Sequence, residues 1–311
     1  MKENNPSAGD VGSPDRPIPQ RSGQAAYASL TTAAVLWGGS VIAQKWGVSF
    51  FSPLHLAFLR GTGATLCLLP AWLGSKEKRG AFRAADLPHF FLLAFLAMIG
   101  NQLSNYYGLR TIPASEAGMI MGLTPVLTVL LSSFFFSEPM TRRKIGGSLL
   151  SFAGVLLVVA KPVGGTAASS WRGDLFIGAG VCSWVLYTLL SRRVLRRHSS
   201  LTLSLATISI GTALLAPFSI MEKGSLLEWE AVPFSAWVAL SYLVLFASAL
   251  AFVVWNIGLQ AVGPERASVF SNLIPVTALL LGMVLLAEQI SARQAVGMVL
   301  ILMSVWLVNR P

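Results

Sequence analysis

Charge is what this chain has least of. Only 12% of its 311 residues are charged, against about 25% in a soluble globular domain, so a water-facing surface has too few charges to coat it. Carboxylates are the scarcer sign, 13 Asp and Glu against 23 Lys and Arg, and none falls in the middle of an apolar run. That scarcity excludes paired-carboxylate chemistry. No HExxH or GxSxG string occurs, and the serines within apolar runs have no His or Lys in reach. The histidines His55, His89 and His198 are scattered without metal-ligand spacing. Catalytic residues, a metal site and a cofactor are therefore not expected. Cysteine is nearly absent as well: Cys67 and Cys182 both lie inside apolar segments, which excludes a disulfide framework. The net charge of +10 sits in short loops between apolar runs, so it is no nucleic-acid footprint.

What is abundant is apolar sequence, 54% of the chain. A bilayer crossing takes about 20 such residues as helix. Ten stretches qualify, at about 25–45, 53–73, 88–108, 115–136, 143–160, 173–191, 200–220, 235–258, 265–287 and 291–308. The fold class expected is all-α and integral to the membrane, with consecutive spans antiparallel across short connections. Residues 1–24, rich in Pro, Gly, Ser and Asn, have little to bury and read as a disordered tail.

The chain also repeats itself. Sliding Gly108–Val158 onto Gly258–Val308, an offset of 150, matches 15 of 51 positions without a gap. Pro125 falls on Pro275, Glu138 on Glu288, Arg143 on Arg293 and Gly147 on Gly297. Chance pairing of Leu with Leu does not align a mid-helix proline, a loop Glu and a loop Arg in one register. Two units follow, 25–160 and 173–309, joined through KPVGGTAASSWRG. Duplication in an apolar chain points to a carrier whose halves rock about one site.

Orientation follows the basic residues. Lys76, Lys78, Arg79 and Arg83 follow the second span, Arg142, Arg143 and Lys144 the fourth, and Arg192, Arg193, Arg196 and Arg197 the sixth. The alternate connections are poorer in them, which puts both termini in the cytoplasm. Five spans per unit is an odd number, so the second unit is expected upside down. The turns SEPMTRRK and AEQISARQ, copies of one pattern, carry three basic residues and one, as opposite membrane faces would demand.

These residues resemble a known family, the EamA-type transporters of the drug/metabolite transporter superfamily. The resemblance spans about 25–309 and rests on LWGGS (Leu36–Ser40), SPLHLAFLR (Ser52–Arg60), YYGLRTIPASEAGMIMGLTPV (Tyr106–Val126), the Glu138 hairpin, SWVLY (Ser183–Tyr187) and GLQAVGPERASVFSNLIPV (Gly258–Val276). It implies ten helices in two inverted five-helix repeats that move small metabolites, often exporting amino acids. The location it implies is the cell inner membrane, with a small solute and the bilayer as partners. A membrane-embedded enzyme or a lipid-carrier flippase is the competing reading. A flippase would need a wide basic cavity, whereas Arg60 is the one charge well inside a span.

Candidate site residues come from polar or aromatic groups placed where lipid would reject them. Arg60, seven residues past Pro53, sits about 10 Å into its span; it either meets a substrate carboxylate or ties helix carbonyls together. Asn101, Gln102, Asn105, Tyr106 and Tyr107 make a polar stripe in the third span, and its inverted mate, the eighth, carries Ser248, Trp255 and Asn256; both read as cavity lining or as interhelical hydrogen-bond glue. Trp37 and Trp184 are too deep for interfacial anchoring, and Tyr187 extends the second of them. Pro125 and Pro275 strip the carbonyls of Met121 and Ser271 of ladder partners, marking kinks that flank a pathway. Ser271 and Asn272 add polar groups at the second kink. The Glu138–Arg143 and Glu288–Arg293 pairs read as ionic staples at the membrane edge. The sequence does not specify oligomeric state or coupling ion.

Overall fold

The computed structural model describes residues 23–75, 86–112, 114–159, 170–221, 232–286 and 290–309. Every regular element among them is helical. Among the described residues, seven helices are long and apolar enough to cross a membrane by length and composition: α1 (Gly23–Phe50), α2 (Pro53–Leu73), α3 (Leu87–Leu109), α7 (Trp171–Leu195), α8 (Ser200–Met221), α9 (Phe234–Val262) and α12 (Ala292–Asn309). Between them lie α4 (Ala114–Met121), α5 (Thr124–Phe136), α6 (Arg142–Val159), α10 (Pro264–Ser268) and α11 (Leu273–Leu286). Gly23 and Gln24, assigned above to the tail, are the first residues of α1. Large apolar side chains stand open to the surroundings: Phe134 is 80%, Ile220 79% and Phe234 82% exposed. Such a surface belongs in lipid rather than water.

Each of the two prolines lies just past an interruption in its helix. The span expected over 115–136 is divided into α4 and α5, separated by Gly122 and Leu123 just before Pro125. Ahead of Pro275, Val269–Asn272 winds as a 3₁₀ turn between α10 and α11. The Met121 carbonyl freed by Pro125 accepts a hydrogen bond from Thr124 Oγ1 at 2.6 Å, because an orphaned carbonyl in hydrocarbon must find a partner within the protein. Thr124→Val keeps the shape and removes that donor. It is expected to cost about 1 kcal/mol in detergent unfolding, whereas Thr128→Val, whose hydroxyl bonds to a carbonyl inside the regular α5 ladder, should cost less.

The halves interdigitate. A Cβ on Gly258 of α9 would stand 2.5 Å from Leu30 of α1, and one on Gly108 of α3 would stand 2.6 Å from Ile177 of α7. Gly61 of α2 packs on Thr212 of α8, and Gly211 of α8 on Met98 of α3. Thus α1 lies against the late helix α9, and α7 against the early helix α3.

Backbone approaches backbone where α6 meets α12. Gly147 meets Val308, Gly154 meets the Gly297 carbonyl and Ile301, and Gly297 meets the Gly154 carbonyl and Val158. Residue numbers rise along one helix as they fall along the other, so the two run antiparallel. They are the helices that the 150-residue offset superposes. Their caps correspond too: Thr141 Oγ1 accepts from Lys144 N and Ser291 Oγ from Gln294 N, both at 3.3 Å. Ser291 adds the reciprocal bond, its N–H donating to Gln294 Oε1 at 2.9 Å, a complete capping box.

Candidate substrate site

An aromatic cluster occupies the middle of the molecule. Trp37 stands edge-on to Trp184 at 5.4 Å between ring centroids, 5.2 Å from Trp255 and 6.0 Å from Phe252. Trp184 stacks on Tyr187 at 5.2 Å and lies 5.7 Å from Trp255. Three of the sequence candidates, Trp37, Trp184 and Tyr187, therefore meet. Phe252 and Trp255 of α9 complete the cluster. Trp255 belongs to the polar stripe of its span noted in the sequence, and Phe252 was not a candidate.

Backbone geometry provides an acceptor beside it. Within α9, Leu243–Leu250 is wound as π-helix, and the Ala251 N–H donates to Phe246 and Ser248, passing over Ala247. The Ala247 carbonyl accepts instead from Trp37 Nε1 at 2.9 Å and from Arg60 Nη2 at 3.4 Å. A π-turn in a helix frees such a group where a function or a packing need holds it. The α3 helix carries the same feature over Phe95–Leu103.

Arg60 is buried among these groups. Its Nε donates to Ser248 Oγ, and its Nη1 to Tyr106 Oη at 3.1 Å. Arg60 and Tyr106 thus join the cluster through Ala247. On the far side Tyr187 Oη exchanges hydrogen bonds with the buried Asn256 amide, which also donates to Ser204 Oγ at 3.0 Å. One connected network runs from Tyr106 through Arg60, Ala247, Trp37, Trp184 and Tyr187 to Asn256.

The remaining candidates stand elsewhere. Asn101 Nδ2 donates to the Gly180 carbonyl at 3.0 Å, and Asn105 Oδ1 lies 2.6 Å from where a Cβ on Gly180 would stand, so both amides face α7. Gln102 Nε2, Asn105 Oδ1, Trp255 Nε1 and Ser271 Oγ are buried without a hydrogen-bond partner among the described residues. Asn272 Nδ2 donates to the Gly122 carbonyl at 3.2 Å and to Ser151 Oγ at 2.8 Å. Gly122 and Asn272 are equivalent positions in the 150-residue register, and each lies in the break of its helix. That bond ties one interrupted helix to the other.

Charges cluster at loops. Glu138 is paired with Arg192 of α7 at 2.7 Å, a partner that spacing along the chain does not show. The hydrogen bond from Arg192, with its charge behind it, holds the Glu138 carboxyl below the usual glutamate range against the opposing effect of partial burial. Lys144 pairs with Glu265 at 2.8 Å, and His198 and Arg197 approach Asp86 at 3.1 and 3.8 Å. Each pair links an early residue to a late one. Glu288 lies outside the described residues. No group of three or more metal-ligating side chains occurs among the described residues.

Residues 24–160 and 171–310 each match the EamA-like transporter family. The chain belongs to that family. As a member it is a multi-pass membrane protein of a transporter lineage, and its relatives are of nearly its own length. The uncharacterized transporter YyaM of Bacillus subtilis is 27% identical over 282 residues, covering 90% of this chain and 92% of that protein. An uncharacterized transporter of Archaeoglobus fulgidus is 28% identical over 285 residues, covering 90% and 97%. The "Probable terminal-alkyne amino-acid exporter" of Streptantibioticus cattleyicolor is 27% identical over 285 residues, covering 91% and 92%. A protein of known crystal structure shares the fold, with a TM-score of 0.79 at 24% identity over 92% of this chain and 96% of its own.

Proposed function

We propose that the protein is a secondary transporter, acting as an exporter, of small polar or zwitterionic metabolites such as amino acids. Ten crossings form two inverted five-helix repeats, 25–160 and 173–309, in the inner membrane with both termini cytoplasmic. The solute passes along the seam between them by alternating access, with no enzymatic step. The observation that carries this reading is the Asn272–Gly122 hydrogen bond. Two residues one repeat apart touch where both helices are broken, as expected of an axis relating two halves that rock. The antiparallel pairing of α6 with α12 and the Trp37–Trp184 contact between the heads of the repeats support the same axis. The amino-acid exporter among the relatives supports the substrate class.

The test joins topology to transport. In a protein lacking Cys67 and Cys182, Thr141→Cys and Ser291→Cys are expected to react with a membrane-impermeant maleimide from opposite faces. Labelling of both from one face rejects the inversion. Medium from overexpressing and deletion cells, compared by metabolite profiling, should then differ in a small set of amino-acid-like solutes, and each should show counterflow in proteoliposomes. Identical media and no counterflow reject the carrier.

A further inference from the structure

Arg60 is an electrostatically incomplete group. The residue is only 5% exposed, and its three partners among the described residues, Ser248 Oγ, Tyr106 Oη and the Ala247 carbonyl, are all neutral. None of the ion pairs among the described residues includes it. A buried charge costs several kcal/mol in lost hydration, and buried charges are ordinarily matched by an opposite one. A guanidinium has five N–H donors. Three are engaged, which leaves two for an acceptor, one on each terminal nitrogen, and a carboxylate has two oxygens to meet them.

A second observation points to the same place. Trp255, fully buried, carries an Nε1–H without a partner, although a buried indole N–H ordinarily finds one. Its ring packs on Trp37, whose own Nε1 shares the Ala247 carbonyl with Arg60. The unused guanidinium donors and the unpartnered indole therefore lie within one side-chain length of the Trp37–Trp184–Trp255 cluster.

We infer that the two free N–H groups of Arg60 form a subsite for a single carboxylate, and that the solute is a monocarboxylate with an apolar body lying along the tryptophans. This rests on the transporter reading of the same site and narrows it. One guanidinium neutralises one charge. A phosphate monoester at about −1.5 to −2 would leave a surplus buried, since no second cation joins Arg60 in the network. A carboxylate completes the site: guanidinium and carboxylate together enter the low-dielectric interior as a neutral pair.

The experiment measures binding to the purified protein in detergent, by thermal shift and tryptophan fluorescence, with a matched pair of probes. These are 3-phenylpropionate and 3-phenylpropionamide, equal in shape and different in charge, with 3-phenylpropyl phosphate as the dianion. In the unaltered protein the carboxylate is expected to bind about tenfold more tightly than the amide, as a charge-assisted hydrogen-bond pair predicts, and more tightly than the phosphate. Arg60→Lys keeps the charge and loses the fork, and is expected to lower carboxylate affinity while leaving the amide unchanged. Equal affinity for carboxylate and amide, tighter binding of the phosphate, or no binding of the carboxylate at millimolar concentration overturns the proposal. The unaltered protein alone decides these outcomes, so a misfolded variant does not block the test. Binding is read without transport. A protein that discriminates the probes but moves no solute keeps the subsite and loses the carrier; one that exports amines with no carboxylate preference does the reverse.

Discussion

Replacing Gly154 with valine should leave little monodisperse protein after extraction. The Gly154 position has no room at all: a Cβ there would stand 2.8 Å from the Gly297 carbonyl oxygen and 3.0 Å from the Ile301 nitrogen. Backbone atoms do not swing aside as a side-chain end does, so α6 and α12 must separate. The cost is expected at about 3 kcal/mol or more, the upper end of overpacking penalties. Packing of small residues is the main source of helix association in lipid, where no hydrophobic drive exists between helices. Gly146, on the same helix, meets nothing within 4 Å. Gly146→Ala should therefore leave the melting temperature unchanged or slightly raised through better helix propensity. Equal melting temperatures for Gly154→Val and Gly146→Ala would reject the close contact. The reciprocal substitution Gly297→Val should behave as Gly154→Val does, because the same contact is met from the other side.

That contact illustrates what the sequence carried and what it withheld. The offset that places Gly147 on Gly297 and Pro125 on Pro275 was legible, because glycine and proline answer to backbone constraints that survive when apolar side chains drift. Helix ends were legible to within a few residues, since the apolar runs stop near where the helices do. Partners were not. In a water-soluble helix an apolar stripe reveals the buried face, but a helix in lipid is apolar all round, so nothing in α1 says that Leu30 rests on Gly258. The same blindness hid Arg192 of α7 as a partner of Glu138.

The site was half visible for a related reason. Trp37, Arg60, Trp184 and Tyr187 are conspicuous as polar or aromatic groups too deep in their spans. Trp37 and Arg60 meet at a backbone carbonyl, Ala247 O, exposed by a π-wound segment that no side chain in LVLFASAL announces. Asn101 and Asn105 formed an attractive stripe at helical spacing. The stripe is real, and it faces the Gly180 backbone, where a glycine lets another helix come close enough to be bridged.

Trp37→Ala is expected to be the most damaging single change in the centre of the molecule. It removes a ring in contact with Trp184, Trp255 and Phe252 at a cost of about 3–5 kcal/mol for a buried aromatic. Trp37→Phe keeps most of that packing and loses the Nε1 bond to Ala247, worth about 1 kcal/mol within a membrane protein. The carbonyl is not abandoned, since Arg60 Nη2 still reaches it. Thermal unfolding in detergent should therefore place the phenylalanine variant near the unaltered protein and the alanine variant far below it. A double cycle of Trp37→Ala with Trp184→Ala should show coupling of about 0.5–1.5 kcal/mol, the range for aromatic pairs. Should both Trp37 variants lose the same stability, the hydrogen bond and not the ring would be holding α1 to α9. The aromatic cluster would then be a lining around the shared carbonyl rather than the body that joins the two halves.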